Sequence, residues 1–457
     1  MKPMGKRVIV ELRGPLALAA TIAAALLCGA AQAGAPSPAF PLKDSDNGRY
    51  LVDQNGVPFL MTGDSPQAMI GNLSLADAEF FMDNRAKYGV NTLWINLLCN
   101  YGTACNADGT TYDGIAPFTT PGDLSTPNPA YFDRAAQMID AAAARGMLVL
   151  LDPIETIGWL DTLDANGKFK ARNYGRFLAT RFANEKNIVW MSGNDFQTWR
   201  DQAQNLIVRA VADGIRGVDA GRLHTVELNY YVSASMQDSK WRSLLGLDAV
   251  YTYRPTYAME LKEYTRADYR PTFLVEANYE FEHNGGTDGG TTQNLRRQEY
   301  WSALSGTTGQ LYGSAWSWRL TGDWKNNLDT VGIEQLSYMR DLFAPRAWQD
   351  LVPDRDHTFL VKGYGQFSKT DPIPDDTYAT AAKTPDGSLA MAYVPSARTV
   401  KIDLAQMSGP VHARWFDPTN AAFADLGSFP NSGVRAFASP GPNHDGDGDW
   451  VLLLEAN

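Results

Sequence analysis

From Pro58 to Trp316, short apolar runs alternate with longer segments whose apolar residues recur every three or four positions, the pattern of parallel β/α units. Phe59–Gly63 predicts a first strand, and Ser74, with Asp77 three residues on, caps a helix that ends near Tyr88 and Gly89. Thr92–Leu98 predicts the second strand. Asn128 and Pro129 then open a helix whose Tyr131, Phe132, Ala135, Met138, Ile139 and Ala142 share one face until Gly146 stops it. Met147–Leu151, Ile188–Met191, Leu223–Leu228, Ala249–Tyr253, Thr272–Val275 and Gln310–Ala315 follow as strands three to eight, the fifth and sixth with the weakest pattern. Val149, Leu150 and Leu151, like Phe273, Leu274 and Val275, lack polar alternation, as strands covered on both faces do. An α/β fold, a (β/α)₈ TIM barrel over residues 34–344, is the expectation. An open doubly wound sheet is the competing arrangement, and no G-x-G-x-x-G follows the first strand to support its nucleotide-binding form.

Beyond Leu342 the helical period fades. Residues 345–457 become short strands separated by Gly, Pro, Asn and Asp, among them Ser388–Val394, Thr399–Leu404, His412–Phe416 and Trp450–Leu454. They predict a C-terminal β-sandwich packed directly on the barrel. Within it, the alternating Asp445, Asp447 and Asp449 resemble the start of a calcium loop, but Trp450 stands where the glycine is needed and no bidentate Glu follows. The segment therefore reads as a polar turn.

Composition narrows the class. Lys2, Lys6, Arg7 and Arg13, an apolar run from Pro15 to Leu27 and the Ala31-Gln32-Ala33 triplet have the layout of a secretory signal over residues 1–33, which implies a periplasmic or secreted product. Lipid attachment at Cys28 is the alternative. No later run approaches the ~20 apolar residues of a membrane span. A net charge of −11 argues against a nucleic-acid partner. After the signal only Cys99 and Cys105 remain; an exported chain predicts a small disulfide loop, with free thiols the alternative. The five His form no metal-binding cluster, so neither a metal nor another cofactor is expected, and the protein is expected to act as a monomer.

A (β/α)₈ barrel carries its site at the carboxyl ends of the strands. Polar or aromatic residues near those ends are Asp64, Asn96, Asp152, Glu155, Asn194, Asp195, Asn229, Tyr253, Arg254, Glu276, Trp316 and Trp318. Asp195 closes strand four and Glu276 closes strand seven, which face each other across a barrel mouth. A facing pair of carboxyls is what glycosidic cleavage requires, one to protonate the leaving oxygen and one to attack the anomeric carbon. With Asp195 as acid/base and Glu276 as nucleophile, a separation of ~5–5.5 Å and retention of configuration are expected, and ~6.5 Å or more reverses that stereochemistry. Asn194 is the candidate to grip a sugar hydroxyl, and Trp316 the candidate stacking floor. Each residue taken singly has a structural reading as well, as a cap, a salt-bridged rim group or a core aromatic; their joint placement is the argument.

The run Arg49–Phe59, followed by Thr62-Gly63-Asp64-Ser65-Pro66-Gln67, resembles the opening of the apiosidase-like family, glycoside hydrolase family 140. Asn91–Leu98, Asn187–Asp195 and Pro271–Glu276 extend the resemblance, and the end of the chain around Asp449-Trp450-Val451-Leu452 is similar to the collagen-binding-type β domain that follows such barrels. The resemblance implies a retaining barrel with Asp195 as acid/base and Glu276 as nucleophile, acting on apiose-linked glycans such as pectin side chains, with an oligo- or polysaccharide as partner. Another pentofuranose glycan, as for an arabinofuranosidase, or a silent glycan-binding barrel are the alternatives. The loop 100–128 and the segment 280–290 are expected to line the cleft.

Overall fold

The computed structural model describes Met1 and residues 37–229, 233–284 and 289–456; apart from Met1, the expected signal segment lies outside the described residues. Ser37–Asn457 forms one compact unit. Its barrel strands are β1 (Met61–Asp64), β2 (Thr92–Asn96), β3 (Leu148–Asp152), β4 (Ile188–Phe196), β5 (His224–Leu228), β6 (Asp248–Tyr251), β7 (Thr272–Glu276) and β8 (Gly309–Tyr312). They are hydrogen-bonded in parallel in the order β5-β4-β3-β2-β1-β8-β7-β6, and the short strand Ser233–Ala234 lies antiparallel on β6. Alternation along a strand explains the two apolar layers. Leu148 and Leu150 fill the barrel with Trp94, Met191, Phe273 and Leu311, while Val149 and Leu151 face the helices.

The seam between β5 and β6 is closed by a side chain rather than by a ladder: Ser235 Oγ accepts from Ala249 N (2.9 Å) and donates to Val226 O (2.6 Å). The β5–β6 connection carries a 3₁₀ turn (Ser235–Gln237) where the other units carry an α-helix, which accounts for the weak sequence pattern there. The outer helices are α1 (Leu75–Lys87), α2 (Pro129–Ala144), α3 (Leu160–Arg181), α4 (Gln202–Arg216), α5 (Thr256–Tyr264), α6 (Thr292–Ala303) and α7 (Val331–Phe343). Ser74 Oγ accepts from Asp77 N to cap α1 (3.1 Å), and Asn128 caps α2 ahead of Pro129.

Three expected strand ends are too long. β2 stops at Asn96, β6 at Tyr251 and β8 at Tyr312, because the apolar residues beyond them pack into loops. Strand four errs the other way. It runs on to Phe196 through an irregular stretch: Ser192 pairs Val226 and Phe196 pairs Leu228, so Gly193, Asn194 and Asp195 together oppose Glu227.

The C-terminal strands are β9 (Val352–Pro353), β10 (Leu360–Lys362), β11 (Thr380–Lys383), β12 (Leu389–Val394), β13 (Thr399–Asp403), β14 (Val411–Phe416), β15 (Phe423–Phe429), β16 (Val434–Ala438) and β17 (Trp450–Ala456). They form an antiparallel sheet β9-β11-β12-β17-β14-β15 and a smaller sheet β10-β13-β16, with Ala390, Ala392, Val400, Ile402, Trp415 and Leu452 between them. The sandwich is bolted to α6. Buried Arg296 donates to Asp449 (2.9 and 2.8 Å), Asp447 (2.7 Å) and Gln335 (2.8 Å), while Tyr300 stacks on Tyr393. The Asp445–Asp449 turn is thus an anchoring point for a guanidinium.

Candidate active site

At the carboxyl ends of the strands lies a cavity of about 310 Å³, lined by Gln67, Gly102, Thr103, Ile157, Asn194, Asp195, Tyr251, Tyr253, Glu276, Tyr279, Glu282, Asn284 and Trp318. The loops after β2 and β7 supply Gly102, Thr103, Glu282 and Asn284. Cys99 and Cys105 are joined in a disulfide that rests on Gly71 and holds the first of these loops beside the cavity.

Asp195 and Glu276 both face this space. Glu276 accepts from Tyr279 Oη (2.8 Å) and Tyr253 Oη (3.2 Å), and Tyr253 is bonded to Tyr251 (2.7 Å). The Tyr251 hydroxyl lies beside both carboxyls. Asn229 Nδ2 donates to Asp195 Oδ1 (3.3 Å) and lines a second hollow of about 800 Å³ with Gln197, Trp199, Arg200 and Lys240. Burial raises the pKa of Asp195 against the neighbouring Tyr251 hydroxyl. Burial, then the charge of Asp195, pushes Glu276 up to about 8 against the phenols beside it.

The other expected residues divide. Asn194, Tyr253 and Trp318 line the cavity, and Asn229 braces Asp195. Asn96 lies one layer behind, accepting from Trp94 Nε1 (3.0 Å) and donating to Asn194 Oδ1 (3.2 Å). Asp64 is not at the mouth: it is fully buried against Arg85 Nε (2.5 Å) and Ser317 Oγ (2.9 Å), a charge pair that ties β1 to α1. Asp152 and Glu155 are also buried beneath the floor, where burial raises Asp152 well above its usual range and Glu155 to about 8. Arg254 points away and donates to Thr370 O (3.1 Å). Trp316 packs against the main core, so the aromatic in the cavity is Trp318, held through Nε1 to Glu282 Oε1 (2.6 Å). Residues that sequence reasoning passed over are Gln67, Tyr251, Tyr279 and Glu227. A Glu at an inward position of a barrel strand was the available signal for the last.

The barrel and its cavity at the strand ends define a glycoside hydrolase acting on a carbohydrate. The apiosidase-like catalytic domain family matches residues 45–350, and the chain belongs to that family. Residues 369–455 match a family described as "Putative collagen-binding domain of a collagenase". Among solved structures, the chain is similar to a glycoside hydrolase family 5 protein from Bacteroides vulgatus (22% identity, 91% of this chain and 93% of that chain, TM-score 0.77). It is also similar to a protein described as a glycoside hydrolase (21% identity, 91% and 97%, TM-score 0.77). At these identities the likeness is one of fold. No curated protein matches the chain.

Proposed function

We propose that this protein is a retaining glycosidase that cleaves an apiose-type linkage in pectic glycans, with Asp195 as acid/base and Glu276 as nucleophile. The observation that carries this reading is that Asp195 at the end of β4 and Glu276 at the end of β7 line one cavity, with the bonded Tyr251–Tyr253 hydroxyl pair beside them. A separation of ~5–5.5 Å is the geometry of a double displacement, and ~6.5–9.5 Å leaves room for an attacking water.

In this mechanism Asp195 gives its proton to the glycosidic oxygen as Glu276, in its carboxylate form, bonds the anomeric carbon. The same Asp195, now a carboxylate, then takes a proton from the water that releases the sugar. The 310 Å³ cavity suits the sugar that becomes attached, and the larger hollow on the Asn229 side suits the leaving portion. The family supports the apiose preference, and the signal pattern of residues 1–33 supports export.

The test is incubation with apiose-containing pectic oligosaccharides and arabinan oligosaccharides, reading the released sugar and its first-formed anomer by NMR. Apiose with retained configuration is expected. Release of arabinose alone, or inversion, overturns the corresponding half of the reading. Glu276→Ala should abolish turnover, and Asp195→Ala should keep activity only on substrates whose leaving groups need no proton.

A further inference from the structure

Ladder geometry ends where Gly193, Asn194 and Asp195 face Glu227 alone, and each of the three backbone N–H groups must find another acceptor. Asn194 N–H donates to Thr156 Oγ1 (2.9 Å) and Asp195 N–H to Glu227 Oε2 (2.5 Å). Two of the three are thus held by side chains. Its backbone is unusual too: Gly193 has φ 87°, with no room for a Cβ beside Glu227 O, and Asp195 sits at φ 53°. A non-glycine residue in that left-handed region is disfavoured unless its surroundings enforce it.

We infer that Glu227 is the positioning residue of Asp195: by accepting the Asp195 N–H it fixes the bulge that turns the Asp195 carboxyl toward Glu276. Glu227 is fully buried, and its other oxygen has no hydrogen-bond partner among the described residues, so stability of β5 does not explain its presence. Burial and the neighbouring charges of Asp195 and Glu276 raise its pKa well above the usual range. The inference rests on Asp195 being the proton donor.

Kinetics of Glu227→Ala and Glu227→Gln, each alone and combined with Asp195→Ala, decide it, using aryl glycosides of the released sugar with good and poor leaving groups. Removing the acceptor should lower kcat roughly 10–100-fold for poor leaving groups, with KM little changed, since misplacing a catalytic group by about 1 Å has that effect. For good leaving groups the loss should stay within about threefold, because they need little protonation. E227Q, whose amide oxygen can still accept, should restore most of the loss. In the D195A background, E227A should add nothing further. Equal losses for all leaving groups, or full additivity with D195A, overturns the positioning role. If E227A does not fold, E227Q decides: a leaving-group dependence as steep as that of D195A overturns the acceptor role, and one close to wild type supports it. A D195A variant that is itself indifferent to the leaving group sinks the proton-donor reading instead, which separates the two failures.

Discussion

Two of the clusters of buried acid in this protein are built on opposite terms. Where the sandwich meets the barrel, Asp447 and Asp449 face the 1%-exposed Arg296, and Tyr393 and Asn443 donate to Asp449 as well. Under the cavity, Asp152, Glu155, Asp195, Glu227 and Glu276 form no ion pair with Lys or Arg among the described residues, and all five pKa values are raised by burial. The first cluster is satisfied and serves the fold. The second keeps carboxyls at an energetic disadvantage that only protonation, or a substrate, relieves. The acids at the sandwich interface are held by a guanidinium and serve the fold, and Asp64, paired with Arg85, falls on the same side.

Breaking the matched cluster should have the largest effect on stability. Arg296→Met removes the cation and leaves Asp449 buried and unpaired, a change that costs about 3–5 kcal/mol. Denaturant unfolding should show this loss, while the folded fraction should keep its leaving-group profile because Arg296 does not reach the cavity. A loss under about 1 kcal/mol would mean that the interface does not depend on this charge cluster.

In the unmatched cluster the sign should reverse. Glu276 has its folded pKa raised from 4.5 to about 8, so the folded state holds a proton that the unfolded chain has already lost. Its contribution is therefore greatest below pH 4.5 and is lost as pH rises toward 8. Glu276→Gln removes that dependence. At pH 8 the variant should be more stable than wild type, on the order of 1–3 kcal/mol, the range that a buried group without full compensation costs. Thermal melts of both proteins between pH 4.5 and 8 read it directly; parallel curves would show that Glu276 is not uncompensated.

This difference between the clusters explains what could be read from the chain. The apolar runs of β3 and β7 and the carboxyls at the ends of β4 and β7 are local signals, and the structure has Asp195 and Glu276 facing one cavity as the facing-strand argument requires. Asp64 and Asp152 look the same along the sequence, each an acid at a strand end, and only the fold reveals that one meets Arg85 and the other the Ile154 N–H. Glu227 stayed hidden for a related reason: its partner is a backbone amide in a bulge, and a bulge leaves no periodic trace. The β5–β6 seam left no trace either, because Ser235 joins the two strands with two hydrogen bonds that no pattern announces.

The smallest effect concerns the two tryptophans, which the sequence separates by one residue and the structure by function. Trp318 lines the cavity and is steadied by Glu282, whereas Trp316 packs on the core. A ring covering one face of a bound sugar contributes about 0.5–1.5 kcal/mol, as aromatic contacts do. Trp318→Leu should therefore raise KM by roughly 3–10-fold, with kcat and unfolding free energy close to wild type. Trp316→Leu should do the reverse, lowering stability through lost packing while leaving KM in place. If the two variants behave alike in binding and in unfolding, the cavity wall and the core are one packing unit.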